Sequence, residues 1–193
     1  MIDYEAFYQG APLLPGIPHD GVPWDIGAPQ PVVVALEREG RFTGSVLDAG
    51  CGTGDNALFL ASRGYRVTAV DIAPSALPAS STVDFMVADA CDLPFVSTFD
   101  SVLASALFHA VPANSRSALA ASLYRAAKPG ALLNLTCLDV PAPPFAVTED
   151  ELRDTLTDAG WTISVIRRDV VSVAGQDFTL PIRVVLGCKD GPS

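Results

Sequence analysis

The run Val46-Leu47-Asp48-Ala49-Gly50-Cys51-Gly52-Thr53-Gly54 constrains this chain more than any other stretch. An apolar strand breaks into three alternate glycines and gives way to Asn56-Ala57-Leu58-Phe59-Leu60-Ala61, which reads as a helix. Alternate glycines leave no Cβ on the face where a ligand would run, so main-chain N–H groups and the helix N-terminus can approach it closely. In a strand, glycine loop and helix unit of this kind, an acid at the tip of the next strand meets a ribose diol. Arg66-Val67-Thr68-Ala69-Val70-Asp71 supplies that acid, 17 residues beyond Gly54. Loop and acid read as one site at the carboxyl ends of a parallel sheet.

Length allows one well-buried core and is short for two, at 193 residues with 49% hydrophobic and 18% charged side chains. A formal net charge of -10, with Lys128 and Lys189 the only lysines, argues against a nucleic-acid partner, because phosphate backbones are met by clustered cations. No apolar run approaches the roughly 20 residues of a membrane helix, and Met1-Ile2-Asp3-Tyr4-Glu5 has no signal-peptide character, so a cytoplasmic protein without membrane contact is expected. Cys51, Cys91, Cys137 and Cys188 lack the paired spacing of a zinc knuckle or disulfide framework and read as small buried thiols. No metal site is expected, since no acidic and histidine cluster follows the fourth or fifth strand.

Along the chain, residues 1–31 carry Pro12, Pro15, Pro18, Pro23, Pro29 and Pro31 among Phe7, Tyr8 and Trp24. Prolines this dense exclude helix interior and central strand, so after a short helix at Tyr4 to Gln9 the segment reads as an irregular strap or lid. Pro31 opens a helix that Gly40 ends. Asp55 to Ser62 is the first crossover helix. The second crossover, Ile72 to Thr82, contains Pro74 and Pro78 and has room for a turn or two of helix only. Val83 to Asp89 and Phe99 to Ser105 read as the third and fourth strands. Ser115 to Ala127 is helical by its apolar spacing, stopped by Lys128-Pro129-Gly130, and Ala131 to Cys137 is the fifth strand. Thr148-Glu149-Asp150-Glu151 has capping-box spacing for a helix to Ala159. Trp161 to Val173 and Phe178 to Cys188, joined by four residues, should pair as an antiparallel hairpin.

This pattern, with the string Asp48 to Gly54, Asp71, Asp89, the Lys128-Pro129-Gly130 turn and the closing hairpin, resembles the class I S-adenosylmethionine-dependent methyltransferases over Val46 to Cys188. Pro23-Trp24-Asp25-Ile26-Gly27 with Gln30-Pro31 is similar to the thiopurine and tellurite-resistance type and to bacterial quinone or heterocycle methyltransferases. The resemblance implies an α/β fold: a Rossmann-like doubly wound seven-stranded sheet of order 3-2-1-4-5-7-6 with strand seven antiparallel. It implies a single methyltransferase domain over residues 1–193, and methyl transfer to an N, O or S atom of a small aromatic or heterocyclic acceptor.

Carried onto this sequence, the resemblance implies that Asp48 with Gly50, Cys51, Gly52 and Gly54 holds the methionine part of S-adenosylmethionine. Asp71 would accept the ribose hydroxyls, Ile72 would lie on the adenine face, and Asp89 with Ala90 would read the adenine edge. Ser105 and Trp24 complete the expected cofactor set. For the acceptor, the strap and the ends of the fourth and fifth strands offer Phe7, Tyr8, His19, Leu107, Phe108, Asp139 and Phe145. His109 is the candidate general base, with a hydrogen-bonded loop anchor as its competing role. A dinucleotide oxidoreductase and a non-catalytic adenosyl-binding protein are the rival readings, and the sequence leaves monomer and homodimer both open.

Overall fold

The computed structural model describes residues 2–16 and 18–191. Its centre is a seven-stranded sheet ordered β3-β2-β1-β4-β5-β7-β6, built from β1 (Ser45–Ala49), β2 (Arg66–Asp71), β3 (Asp84–Val87), β4 (Phe99–Ser105), β5 (Ala127–Leu138), β6 (Trp161–Ser172) and β7 (Thr179–Lys189). Pairings from β3 through β5 are parallel, and β7 runs antiparallel to both β5 and β6. The strand order reverses between β1 and β4, and that switch point opens the crevice where open α/β sheets bind ligands.

Among the described residues five α-helices accompany it: α1 (Tyr4–Tyr8), α2 (Pro31–Arg38), α3 (Asp55–Ser62), α4 (Arg116–Ala126) and α5 (Glu149–Asp158). Successive strand residues face opposite layers. Val46 packs with Val33, Leu36 and Leu60 of α2 and α3, whereas Leu47 belongs with Leu119, Leu123, Leu152 and Trp161 on the α4 and α5 side. Covering both faces explains why the central strands are apolar runs rather than alternating ones. Half of the capping box forms at α5, where Thr148 Oγ1 accepts from the Glu151 N–H at 3.1 Å, while the Glu151 carboxylate turns to Arg116.

Two boundaries depart from the sequence reading. Lys128-Pro129-Gly130 lies inside β5 as a bulge, between the Phe99↔Ala127 and Ser101↔Leu132 pairs, rather than as a turn before the strand. Lys128 Nζ meets Asp100 Oδ1 at 2.9 Å, and Asp100 also accepts from the Ser45 N–H at 2.8 Å, tethering the bulge to β1 and β4. The third strand stops at Val87, which leaves Asp89 in the loop beyond it.

The second crossover contains a single 3₁₀ turn, Pro74–Ala76, as its prolines require. α1 packs against this turn, where Glu5 accepts from the Ser75 N–H at 3.0 Å and from Ser75 Oγ at 2.6 Å. Among the described residues no helix is long and apolar enough to cross a membrane.

Candidate active site

The glycine turn is held by β2. The N–H groups of Gly50 and Cys51 both donate to the Val70 carbonyl, at 2.8 and 3.0 Å. Asp71 then fastens the turn from the strand tip, with Oδ2 accepting from Gly52 N at 2.9 Å and Oδ1 from Ala73 N at 3.0 Å. Each oxygen keeps a second lone pair, on a carboxylate that is 9% exposed and lines the cavity described below. Burial pushes its pKa up, against the N–H bonds that pull it down.

The three glycines serve different neighbours. A Cβ on Gly50 would lie 2.8 Å from Leu107 Cδ1, and one on Gly52 would lie 2.8 Å from Tyr8 Oη. At Gly54, with φ +84°, a Cβ would come within 2.6 Å of the Phe85 ring. The third glycine therefore lets α3 seat against β3, and unlike Gly50 and Gly52 it does not line the cavity.

Asp48 lies beneath this turn, fully buried, with no hydrogen-bond partner for either carboxylate oxygen. Desolvation first, and the charge of Asp71 second, push its pKa up to about 7. It too stands behind the cavity wall rather than in it.

The cavity has a volume of about 880 Å³ and runs along the carboxyl ends of the strands. That is the upper part of the roughly 300 to 1,000 Å³ range of small-molecule sites. On the β1, β2 and β3 side it is walled by Cys51, Gly52, Asp71, Ile72, Asp89 and Ala90. Asp89 caps its own turn by accepting from Cys91 N at 2.8 Å, and Ile72 holds an apolar side chain 56% exposed at the mouth.

The N-terminal strap forms the roof. Trp24 Nε1 donates to Tyr8 Oη at 2.9 Å over Gly52, and both residues line the cavity with Tyr4. Gln30 secures the strap: its Nε2 donates to the Trp24 and Ser172 carbonyls at 3.1 and 3.3 Å, and its own N–H donates to Asn56 Oδ1 at 2.9 Å. Such a buried polar node costs about 1 to 3 kcal/mol to break. Gln30→Leu is accordingly expected to raise amide hydrogen exchange at Ser172, which donates to Gln30 Oε1 at 3.3 Å, and across Trp24 to Ala28. Unchanged exchange in both places would show that the strap is held by other contacts.

On the β4 and β5 side the chain leaves Ser105 through Ala106, a non-glycine residue at φ +59° whose N–H is shared by the Thr136 carbonyl and Oγ1, at 3.1 and 3.0 Å. This turn sends Leu107 into the cavity and Phe108 into the core. His109 follows, 7% exposed, with Nδ1 accepting from Leu138 N at 3.2 Å and the Phe145 ring edge-on at 5.7 Å. Burial, then the nearby Arg116 guanidinium, lower its pKa to about 4. A neutral imidazole whose Nδ1 accepts carries its proton on Nε2, and the Leu138 bond ties the His109 loop to the end of β5.

Of the sequence candidates, Gly50, Cys51, Gly52, Asp71, Ile72, Asp89, Ala90, Ser105, Trp24, Tyr8, Leu107, His109 and Phe145 converge on this one cavity. Four acceptor candidates do not. Phe7 is buried within the strap against Tyr8 and Trp24, with the His19 ring tilted at 49° to it at a 5.0 Å centroid distance. Phe108 is core, beneath the Arg116 guanidinium at 5.7 Å. Asp139 is turned to Arg183 and to Arg168, the latter at 3.1 Å, and is an ion-pair residue rather than a base or acceptor contact.

Conversely, Leu138, Val140, Val171 and Leu180 line the cavity without having been foreseen. Val171 and Leu180 fall inside the expected hairpin strands, and Leu138 and Val140 lie just beyond the expected fifth strand. Tyr4 and Asn56 were equally unmarked, and their one signal is proximity to the strap helix and the glycine turn.

Fold and site together define a Rossmann-like methyltransferase architecture. The profile of the "Methyltransferase domain" family matches residues 46–130. The 2-heptyl-1-hydroxyquinolin-4(1H)-one methyltransferase of Mycobacteroides abscessus is 36% identical over 172 residues, covering 81% of this chain and 75% of that enzyme. Thiocyanate methyltransferase 1 of Brassica oleracea is 29% identical, over 80% of this chain and 76% of the other. A solved structure described under conversion of a disulfide bond into a thioacetal group during echinomycin biosynthesis superposes with a TM-score of 0.78 at 34% identity, covering 98% of this chain and 93% of that one. The chain belongs to the class I S-adenosylmethionine-dependent methyltransferases.

Proposed function

We propose that the protein transfers the methyl group of S-adenosylmethionine to an N, O or S atom of a small aromatic or heterocyclic acceptor. The observation that carries this reading is the chemical division of one cavity. Carboxylates and side-chain-free peptide stand at the β1, β2 and β3 ends, and apolar side chains stand at the β4, β5 and hairpin ends.

The residues fit the cofactor. Asp48 has two buried oxygens without partners, a debt that a nearby bound ammonium would relieve. Gly50 and Gly52 keep the turn free of Cβ atoms, and Asp71 has two lone pairs left for a diol. Ile72 offers an apolar face to adenine, and Asp89 with Ala90 stands at its edge. Ser105 and Trp24 close the set. When bound, the cofactor supplies a methyl carbon to the acceptor's lone pair while the carbon–sulfur bond breaks and its electron pair stays on sulfur.

The protein's contribution is to align the acceptor and exclude water, and positioning alone can supply roughly 7 to 11 kcal/mol of a bimolecular barrier. The strap performs the exclusion as a lid over Gly52. Trp24→Ala is therefore expected to lower affinity for S-adenosylhomocysteine and turnover together, each by about tenfold for the loss of a packed aromatic and its hydrogen bond. Wild-type values of both would remove the lid role.

Relatives named for a hydroxyquinolone and for thiocyanate support a small, soft or readily ionised acceptor. The deciding experiment is a screen with methyl-labelled S-adenosylmethionine against N-hydroxyquinolones, thiols, phenols and N-heterocycles. Label transfer to at least one class is expected. Tight S-adenosylhomocysteine binding with no transfer to any of them would instead make the chain a non-catalytic adenosyl-binding protein.

A further inference from the structure

We infer that the acceptor has an apolar body with no charged substituent, that its nucleophilic atom is already deprotonated when enclosed, and that His109 positions that atom by donating from Nε2. This rests on the methyltransferase reading above and specifies its second substrate.

The charge distribution of the cavity comes first. Its wall contains no lysine and no arginine. Its carboxylates, Asp3, Glu5, Asp55, Asp71 and Asp89, all come from the strap helix, the glycine turn and the β2 and β3 ends. The opposite half is made by Leu107, Val111, Leu138, Val140, Phe145 and Leu180. A carboxylate or phosphate carried on the acceptor would be buried there with no counter-charge, at a cost that such contacts cannot offset. An anionic nucleophile is different, because it would face the cationic donor.

The second observation is the want of a proton acceptor on the β4, β5 and hairpin side of the cavity. Among the described residues His109 is the only titratable side chain that the β4, β5 and hairpin ends bring to the cavity. Its Nδ1 is committed to the Leu138 N–H at 3.2 Å, and no described residue partners its Nε2. To take a proton it would have to accept it on Nδ1, breaking the Leu138 bond and becoming an imidazolium beside Arg116, and that guanidinium, though paired with Glu151, lowers the pKa of His109.

The other groups packed around His109 do not substitute for it. Tyr4 donates its hydroxyl to the Ala110 carbonyl at 3.4 Å and is pushed up to about 12 by burial. Burial holds the Cys137 thiol up at about 12 as well. Ser105 shares its hydroxyl with Thr136 Oγ1 at 3.3 Å. The Asp139 carboxylate is paired with Arg183 and Arg168. A fixed N–H donor with no base beside it suits a nucleophile that sheds its proton to water first: a thiolate, an acidic phenolate or the oxyanion of an N-hydroxy heterocycle.

The test uses the full chain saturated with sinefungin, a non-transferring cofactor analogue that carries an ammonium where S-adenosylmethionine carries its methyl sulfonium, and reads binding of para-substituted thiophenols and N-hydroxyquinolones by calorimetry as a function of pH. Binding is expected to follow the ionisation of each probe, its midpoint moving with the probe's own acidity. A probe bearing a para-carboxylate should bind at least about a hundredfold more weakly than its methyl counterpart. His109→Gln, which keeps an N–H donor, should stay within about tenfold of wild type, whereas His109→Leu should lose about ten- to a hundredfold, with S-adenosylhomocysteine affinity unchanged in both.

Equal affinity for the carboxylate and methyl probes would overturn the inference. So would a binding or kcat/KM midpoint that stays fixed across probes and vanishes in His109→Gln, since that marks a base. Failure of the methyltransferase reading itself would appear separately, as no label transfer to any acceptor in the screen.

Discussion

Asp71→Ala is expected to weaken S-adenosylhomocysteine binding by at least about a hundredfold, because two hydrogen bonds to a charged group, each worth about 1.5 to 3 kcal/mol, are lost together. The loss has a second source in this protein. Asp71 also holds Gly52 N at 2.9 Å and Ala73 N at 3.0 Å, so its removal frees the turn that the ligand's other end would meet. Asp71→Asn separates the two contributions, since the amide keeps one acceptor oxygen for Gly52 or Ala73 and cannot accept at both. It should fall between wild type and Asp71→Ala in calorimetric titration. An unchanged dissociation constant in Asp71→Ala would remove the ribose assignment altogether.

The second large effect is a pH dependence of stability in which two buried groups oppose each other. Asp48 is raised from 3.8 to about 7 in the folded protein, so between those values the native state holds a proton that the unfolded chain has lost. Its contribution to stability is full below pH 3.8 and is lost as pH rises through about 7. His109 is lowered from 6.5 to about 4, so in that window the unfolded chain holds the extra proton. Its contribution is full above pH 6.5 and is lost as pH falls through about 4. Each group has a limiting slope of about 1.4 kcal/mol per pH unit, of opposite sign.

Wild-type stability without ligand should therefore be nearly level with respect to this pair between about pH 4 and 6.5. Asp48→Asn unmasks the His109 slope, so stability rises with pH through that window. It should also stabilise the ligand-free protein at pH 8 by on the order of 2 to 4 kcal/mol, because no buried carboxylate has to ionise. The same variant should bind S-adenosylhomocysteine more weakly, having lost the orphaned charge. Denaturant titrations at pH 4.5, 6 and 8 check this, and an Asp48→Asn protein less stable than wild type at pH 8 would contradict it. Asp71, also raised by burial, shares the sign of Asp48.

Most of the architecture was legible because its signals are local. The glycine turn, Asp71 at the tip of β2, the Pro74 and Pro78 interruption and the Thr148 capping box each depend on residues a few positions apart. The antiparallel ending followed from a connection too short for a crossover. What misled at the boundaries was also local chemistry. Lys128-Pro129-Gly130 has the composition of a turn, but its salt bridge to Asp100 draws it into β5 as a bulge.

More of the residues named for the β1, β2 and β3 side of the cavity line it than of those named for the β4, β5 and hairpin side, for one physical reason. Backbone geometry dictates the first, since glycine and a strand-tip acid have few other uses side by side. Side-chain direction dictates the second, and direction alternates from one residue to the next. The left-handed turn at Ala106 places Leu107 in the cavity and Phe108 in the core, although composition makes them equal candidates. Around Asp139 the polar residue turns to Arg183 while its neighbours Leu138 and Val140 line the wall. Phe7 and Tyr8 divide in the same way across α1.

By itself, then, the sequence determined the sheet, the position of the glycine turn and the acid that answers it, because these rest on backbone freedom and short-range spacing. Only the tertiary structure decided which aromatics face the cavity, that α1 packs on the shortened second crossover, and that His109 Nδ1 is engaged by β5. Those outcomes depend on partners far away in the chain: Ser75 for Glu5, Arg183 for Asp139 and the Leu138 N–H for His109. A side chain's role in this cavity is set by which of its atoms another element has already engaged.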